Sequence, residues 1–254
     1  MTDFARYPSL RGIPVLITGG ASGIGAAMVE AFARQGSKVG FVDFDVAAAE
    51  ALLNRLAPLQ ADIAFEPCDL RDIDALRTAF ARLDAALGAP LVLVNNAARD
   101  DRHGWDTVTP EFWDERMATN LRHQFFAIQT VAPGMIAAGR GSIINLGSVS
   151  WMMPQGGMPA YTTAKSAVHG LTRGLAQDLG KHRIRVNAIL PGWVVTERQR
   201  QHWLTPEAEE KHFERQLLPD LIEPEYLANM ALFLASDDSA MCTAQSFIVD
   251  GGTV

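Results

Sequence analysis

The chain has 254 residues, enough for one large domain with a filled core or two small ones. Hydrophobic residues make up 48% and charged ones 20%, a globular balance, and a formal net charge of −7 argues against nucleic acid or an anionic membrane as a partner. The two cysteines, Cys68 and Cys242, stand far apart without metal-type spacing, which argues against a disulfide framework or a thiolate zinc site and suits a reducing cytoplasm.

In chain order, "MTDFARYPSLRG" carries no apolar run of the kind a signal sequence needs. No later stretch is apolar over a bilayer's thickness, so a cytoplasmic, membrane-free protein is expected. "IPVLIT" (13–18) predicts a first strand and "GAAMVEAFARQG" a first helix. "KVGFVD" (38–43) is followed by "VAAAEALLNRLA", then "DIAFEPCD" by a helix over 71–87. "LVLVNNA" precedes one long helix over 110–137, and "GSIINLGS" (141–148) precedes another over 160–179. "IRVNAIL" (184–190) leads into a looser, charged helical region, and "SFIVDGG" closes the chain.

These strands are almost wholly apolar, as they are when helices cover both faces of a sheet. The repeated strand-then-helix order predicts an α/β protein with a doubly wound parallel sheet, the Rossmann fold, and right-handed crossovers. With no linker, repeat or low-complexity segment, residues 1–254 read as a single domain. In such sheets ligands bind beyond the carboxyl ends of the strands, so every segment following a strand faces one crevice.

"TGGASGIG" (18–25) follows the first strand and opens the first helix. Glycines there remove the Cβ atoms that block a pyrophosphate, and the helix N-terminus offers free N–H groups. Asp43 ends the second strand, where a carboxylate accepts from ribose hydroxyls and repels a 2′-phosphate. No Arg stands beside it in "VDFDVA", so NAD is expected rather than NADP. Asp69, after the third strand, is placed either for the adenine edge or as a helix N-cap, roles that are compatible.

Tyr161 and Lys165 lie four apart in a predicted helix and so share a face. An ammonium near a phenol favours the phenolate and lowers a pKa that is otherwise near ~10, which makes a general base. Ser148 closes the preceding strand thirteen residues upstream, and Asn120 falls within the long helix before it. Together with "NNAA" (95–98) and "PGWVVT" (191–196), these motifs resemble the short-chain dehydrogenase/reductase family over essentially the whole chain.

The resemblance implies Tyr161 as acid/base, with Lys165 lowering its pKa and holding the nicotinamide ribose. It implies Ser148 as the substrate-orienting hydroxyl and Asn120 as support for a water-linked proton path. It implies a pyrophosphate turn of Gly19, Ser22, Gly23, Ile24 and Gly25. Leu70 joins Asp69 as a cofactor contact, Asn96 lines the cleft, and Pro191, Val194 and Thr196 meet the nicotinamide end. Ala98 departs from the family's usual glycine, and its methyl group is expected to crowd the cofactor slightly.

Trp105, Trp151, Trp193 and Trp203 fall in predicted loops after strands four, five and six. An indole face packs on a pyranose, and polar groups in "ARDDRHGW", at Gln155 and in "TERQRQHW" can select hydroxyl positions. Trp151, Gln155 and Trp193 are therefore candidate substrate contacts alongside Ser148 and Tyr161. "RDDRH", "NLRH" and "RQRQHWLTPE" are similar to the branch of aldose 1-dehydrogenases acting on xylose, galactose or arabinose. The implied reaction passes a hydride from C1 of a cyclic aldose to NAD and gives a lactone. The alternative is a secondary alcohol of another substrate, such as a keto-deoxy sugar acid, with Arg102, Arg122 or Arg198 holding the carboxylate. No metal is expected, since Asp100, Asp101 and His103 lack partner ligands. His123, His169 and His182 are expected at or near helix surfaces. A homotetramer is implied by the resemblance, with the helices over 110–137 and 160–179 at one interface.

Overall fold

Strands β1 (Pro14–Thr18) and β2 (Lys38–Asp43) are buried over nearly their whole length, as their unbroken apolar runs require. With β3 (Ile63–Pro67), β4 (Val92–Asn95), β5 (Gly141–Leu146), β6 (Ile184–Pro191) and β7 (Ser246–Val249) they form one sheet. Every neighbouring pair is parallel, and the strand order is β3-β2-β1-β4-β5-β6-β7. The structure is a computed structural model that describes residues 5–254, the side chain of His202 excepted. The first four residues of the N-terminal stretch, and the His202 side chain in the late polar loop, thus lie outside the described residues.

Side-chain alternation along the strands divides the core between two helical layers. Val15 and Ile17 face α1 (Gly23–Arg34), α2 (Val46–Leu56) and α9 (Pro224–Ala235), which contribute Phe32, Leu52 and Leu232. Leu16, Leu93 and Ile143 face α3 (Ile73–Leu87), α5 (His123–Ala138) and α6 (Pro159–Leu179), which contribute Leu76, Ile128 and Ala176. This is the doubly wound α/β fold expected from the strand-helix alternation.

Two elements depart from the sequence reading. The long helix over 110–137 is interrupted: α4 (Pro110–Met117) passes through one π-helical turn, Ala118–Arg122, into α5. The extra residue in that turn leaves the hydrophobic pattern on both sides intact, so periodicity alone reads straight through it. The charged region after β6 resolves into α7 (Glu197–His202) and α8 (Pro206–Phe213), followed by α9, a fully formed core helix. α9 is apolar nearly all round, with Leu227, Ala228, Ala231 and Leu232 inaccessible to solvent, because it packs between α1 and the sheet.

Candidate active site

The loop from β1 into α1 sits at the carboxyl edge of the sheet, where strand order reverses between β1 and β4. Gly19 has a φ of +65°, and a Cβ there would stand 2.8 Å from Ala97 Cα. At Gly25 a Cβ would come within 1.9 Å of the Gly19 carbonyl oxygen, so helix and turn approach this closely only with glycine. Ser22 is the N-cap of α1, yet no side-chain oxygen caps the first turn. Those amides stay available where Ser22, Gly23, Ile24 and Gly25 line the cleft.

Asn96, just past β4, donates through Nδ2 to the carbonyls of Thr18 (3.1 Å) and Gly19 (2.8 Å), which staples the turn. Asp43 accepts from the Ala21 N–H at 3.0 Å and the Asp45 N–H at 3.1 Å, so the carboxylate is held by backbone at the cleft wall. Asp69, Leu70, Pro191, Val194 and Thr196 line the cleft too. A Cβ on Gly23 would lie 3.1 Å from Thr196 Cγ2, so the loop after β6 closes on the glycine turn. The cleft holds about 1020 Å³, room for a dinucleotide and a small substrate. A cradle closed to any Cβ, uncapped helix amides and an anchored carboxylate fit a nicotinamide dinucleotide.

Ser148 follows β5 by two residues, Tyr161 stands in the first turn of α6, and Lys165 is one turn further on. All three line the same cleft. Ser148 stands near enough to the phenol to lower its pKa, while its own oxygen accepts from the Ser150 N–H at 3.1 Å. Lys165 is buried, donates from Nζ to the Leu146 carbonyl at 2.7 Å, and lies 5.8 Å from the Tyr161 ring centroid. Asn120 owes its place to the π-turn. Its Oδ1 accepts from the Arg99 N–H at 2.8 Å and its Nδ2 donates to the Arg116 carbonyl at 3.0 Å, so the side chain ties the loop after β4 to the broken helix.

The electrostatics correct one expectation. Burial, with the Asp100 charge adding to it, pushes the Tyr161 phenol up to about 12, while Ser148 and Arg102 pull it back. Burial pushes the Lys165 ammonium down to about 7. The lysine does not leave an acidic phenol, because the cost of removing the phenolate from water outweighs the groups that favour it. Tyr161 is only half-buried and opens on the cleft, so water reaches it and softens the upward push. Ser148 first, and Arg102 after it, are the groups that lower it.

Comparison with known proteins identifies the family. A family model described as enoyl-(acyl carrier protein) reductase matches residues 19–254. A probable galactose dehydrogenase of Rhizobium meliloti is 50% identical over 249 residues, covering 98% of this chain and 97% of that one. The chain is a short-chain dehydrogenase/reductase. D-xylose 1-dehydrogenase of Caulobacter vibrioides is 45% identical over 248 residues, 98% of each chain. Among solved structures, a gluconate 5-dehydrogenase from Burkholderia cenocepacia in complex with NADP and tartrate superposes with a TM-score of 0.89 at 30% identity, covering 97% of each chain. The chain is thus an oxidoreductase with sugar dehydrogenases among its relatives, in a family that uses a nicotinamide cofactor.

Within this short-chain dehydrogenase the other expected residues divide. Gln155 and Trp193 line the cleft. Trp151 does not: its ring packs beside Val149, Ala188 and Leu190, 6.1 Å from the His169 ring, because an indole gains more against an apolar cluster than in an open loop. Trp105 is 83% exposed. Asp69 is not the N-cap of α3; Asp72 is, accepting from the Asp74 and Ala75 N–H groups, while Asp69 chelates the Arg71 guanidinium. Arg122 donates to the Arg71 carbonyl, away from the cleft.

Two histidines have roles other than those read from the sequence. His103 accepts the Ala160 N–H at Nε2 (3.2 Å) and donates from Nδ1 to the Asp101 carbonyl (2.9 Å), so it caps the first turn of α6 from a distant loop. Both nitrogens are thereby used, and among the described residues no group of three metal-ligating side chains converges. His123 is not at a helix surface but wholly inaccessible. Its Nε2 donates to the Ala97 carbonyl at 3.1 Å. Burial, and after it the Lys165 charge, pull its pKa down to about 4 and keep the ring neutral. The "NLRH" spacing held the signal: four residues beyond Arg99's partner Asn120 would lie on the buried face, and His123 is three beyond it.

Proposed function

We propose that this short-chain dehydrogenase oxidises C1 of a cyclic aldose to the lactone with NAD. The convergence of Ser148, Tyr161 and Lys165 on one cleft carries the reading, since a hydroxyl and a phenol side by side can hold and deprotonate one carbinol. A bound nicotinamide ring supplies the acceptor for the hydride. Ser148 orients the C1 hydroxyl, and Tyr161 takes its proton as the carbon is oxidised, so one C–H and one O–H bond are lost and a C=O bond forms. Lys165, held by the Leu146 carbonyl, lies under the phenol where its charge compensates the phenolate.

The preference for NAD rests on Asp43, whose anchored carboxylate repels a 2′-phosphate. The sugar rests on the galactose- and xylose-oxidising relatives. Lys211 and Arg215, which also line the cleft, favour a second reading in which a keto-deoxy sugar acid is oxidised at a secondary alcohol. A homotetramer is part of the first reading, and so is a cytoplasmic location, which the free thiols of Cys68 and Cys242 suit. Among the described residues no helix is long and apolar enough to cross a membrane.

The test is a panel of aldoses, aldonates and aliphatic alcohols assayed for NADH formation, with NADP in parallel. Aldoses with NAD should lead. Tyr161→Phe should lose roughly 10²- to 10⁴-fold in turnover while NADH still binds. Near-normal turnover by that variant would remove Tyr161 from the reaction.

A further inference from the structure

Two adjacent carboxylates in the loop after β4 have opposite fates. Asp101 is saturated: Oδ1 meets Arg198 at 2.7 Å, and Oδ2 meets Arg99 at 3.1 Å and Arg116 more closely still. It staples the β4 loop to α4 and α7. Asp100, whose side chain is 25% exposed, faces the cleft. Its Oδ2 accepts from Gln199 Nε2 at 3.1 Å, and the Arg198 guanidinium stands 3.8 Å from Oδ1, beyond hydrogen-bonding reach.

Gln199 cannot turn away. It is buried, and its Oε1 accepts the Trp193 indole N–H at 2.9 Å. An indole N–H only donates, so the amide oxygen must face Trp193 and the amide nitrogen must face Asp100. The chain Trp193–Gln199–Asp100 thus runs from the β6 loop to the β4 loop and holds one carboxylate in place, with lone pairs left on Oδ1. Nearby cations are committed elsewhere: Arg198 to Asp101, and Arg102 to the Met158 sulfur and the Trp203 ring face. Asp100 lines the same cleft as Tyr161 and Lys165, and its negative charge acts on both.

We propose that Asp100 is a specificity-determining residue whose Oδ1 accepts a hydrogen bond from a hydroxyl of a neutral polyhydroxy substrate, and which disfavours substrates carrying a carboxylate there. The inference rests on the aldose reading and deepens it. A fixed carboxylate has only acceptor capacity, so it rewards a donor hydroxyl and leaves a missing one uncompensated. Specificity of this kind comes from a buried polar group left without its partner.

The experiment compares wild type, Asp100→Asn, Asp100→Ala and Arg198→Gln on the best aldose of the panel, each of its monodeoxy analogues, and its aldonate. Wild type should favour the parent sugar over one particular deoxy analogue by roughly 10- to 100-fold in kcat/KM. Both Asp100 variants should lose that discrimination by slowing on the parent while keeping their rate on the analogue. Their discrimination against the aldonate should narrow too. Arg198→Gln, which loosens the staple but keeps the carboxylate, should slow every sugar by one common factor. Discrimination that survives in the Asp100 variants, or that collapses equally in Arg198→Gln, overturns the proposal. NADH titration verifies the fold of each variant, and Asp100→Asn carries the comparison should Asp100→Ala not fold. Wild-type turnover of neutral polyols but no aldose would sink only the C1 reading, with deoxy polyols then deciding Asp100. Turnover confined to aldonates would overturn both.

Discussion

Tyr161, Lys165 and Ser148 line one cleft, and Asn120 lies buried beneath the loop after β4. Spacing alone put Tyr161 and Lys165 on one helix face, whereas Ser148 and Asn120 were expected only from the family resemblance. What surrounds each nitrogen and oxygen was not legible, because it depends on loops that meet only in the fold. His123 is the clearest case: nothing in "NLRHQFF" says that its imidazole supports the Ala97 carbonyl behind the cofactor turn. A histidine buried neutral makes stability depend on pH, and the sign follows from its lowered pKa of about 4. Between the unfolded value near ~6.5 and that folded value, the unfolded chain binds a proton the native one refuses. Stability present above pH ~6.5 is therefore lost as the pH falls toward 4, by up to roughly 1.4 kcal/mol per pH unit from this group. Urea unfolding at stepped pH should show the loss, and His123→Gln should flatten it while lowering stability at pH 8 by about 1–3 kcal/mol. An unchanged slope in the variant would mean that other groups carry the acid sensitivity.

At the level of elements, strands and caps were readable where local rules decide. The apolar runs at 13–18 and 38–43 lie within a residue of β1 and β2, because a doubly covered strand has no polar face to blur its ends. The π-turn at Ala118–Arg122 and helix α9 were not readable, for opposite reasons. A π-turn adds a residue without adding a breaker. α9 is hydrophobic on too many sides to show one face, and the charged stretch before it masked its start. The junction between β1 and α1 was legible as strand, glycine turn and helix, the contacts among its glycines were not, and its tightness makes a strong prediction. Gly25→Ala would place a Cβ 1.9 Å from the Gly19 carbonyl oxygen and 2.7 Å from the Asn96 amide nitrogen. Neither can retreat without opening the turn, since Asn96 is itself bonded to Thr18 and Gly19. NADH binding, followed by fluorescence titration, should weaken at least about tenfold while the core, measured by thermal unfolding, shifts far less. Unaltered NADH affinity would show that the turn does not hold the pyrophosphate.

For the molecule as a whole, the cleft lies where β1 and β4 diverge, and every loop that reaches it leaves the carboxyl end of a strand. The opposite concern is what covers the outer helices. Phe125 and Ile136 on α5 are each about two-fifths exposed, at 40% and 39%, on a helix whose inner face is already buried against the sheet. The outer side of α6 offers Ser166, Ala167, Gly170 and Gly174, all exposed and small enough for another helix to approach closely. Large apolar side chains on one helix and a strip of small residues on another suit helix-on-helix packing between copies, which is the physical content of the tetramer expectation. Light scattering should give four times the mass of one chain, independent of concentration over the micromolar range. Phe125→Glu places a charge where an aromatic would be enclosed and should lower the mass to a dimer or monomer. Because α5 ends the segment that begins at the Asn120 turn, loss of that packing should also reduce kcat through a looser loop after β4. A monomeric wild type, or a Phe125→Glu protein of unchanged mass, would show that these faces meet only water.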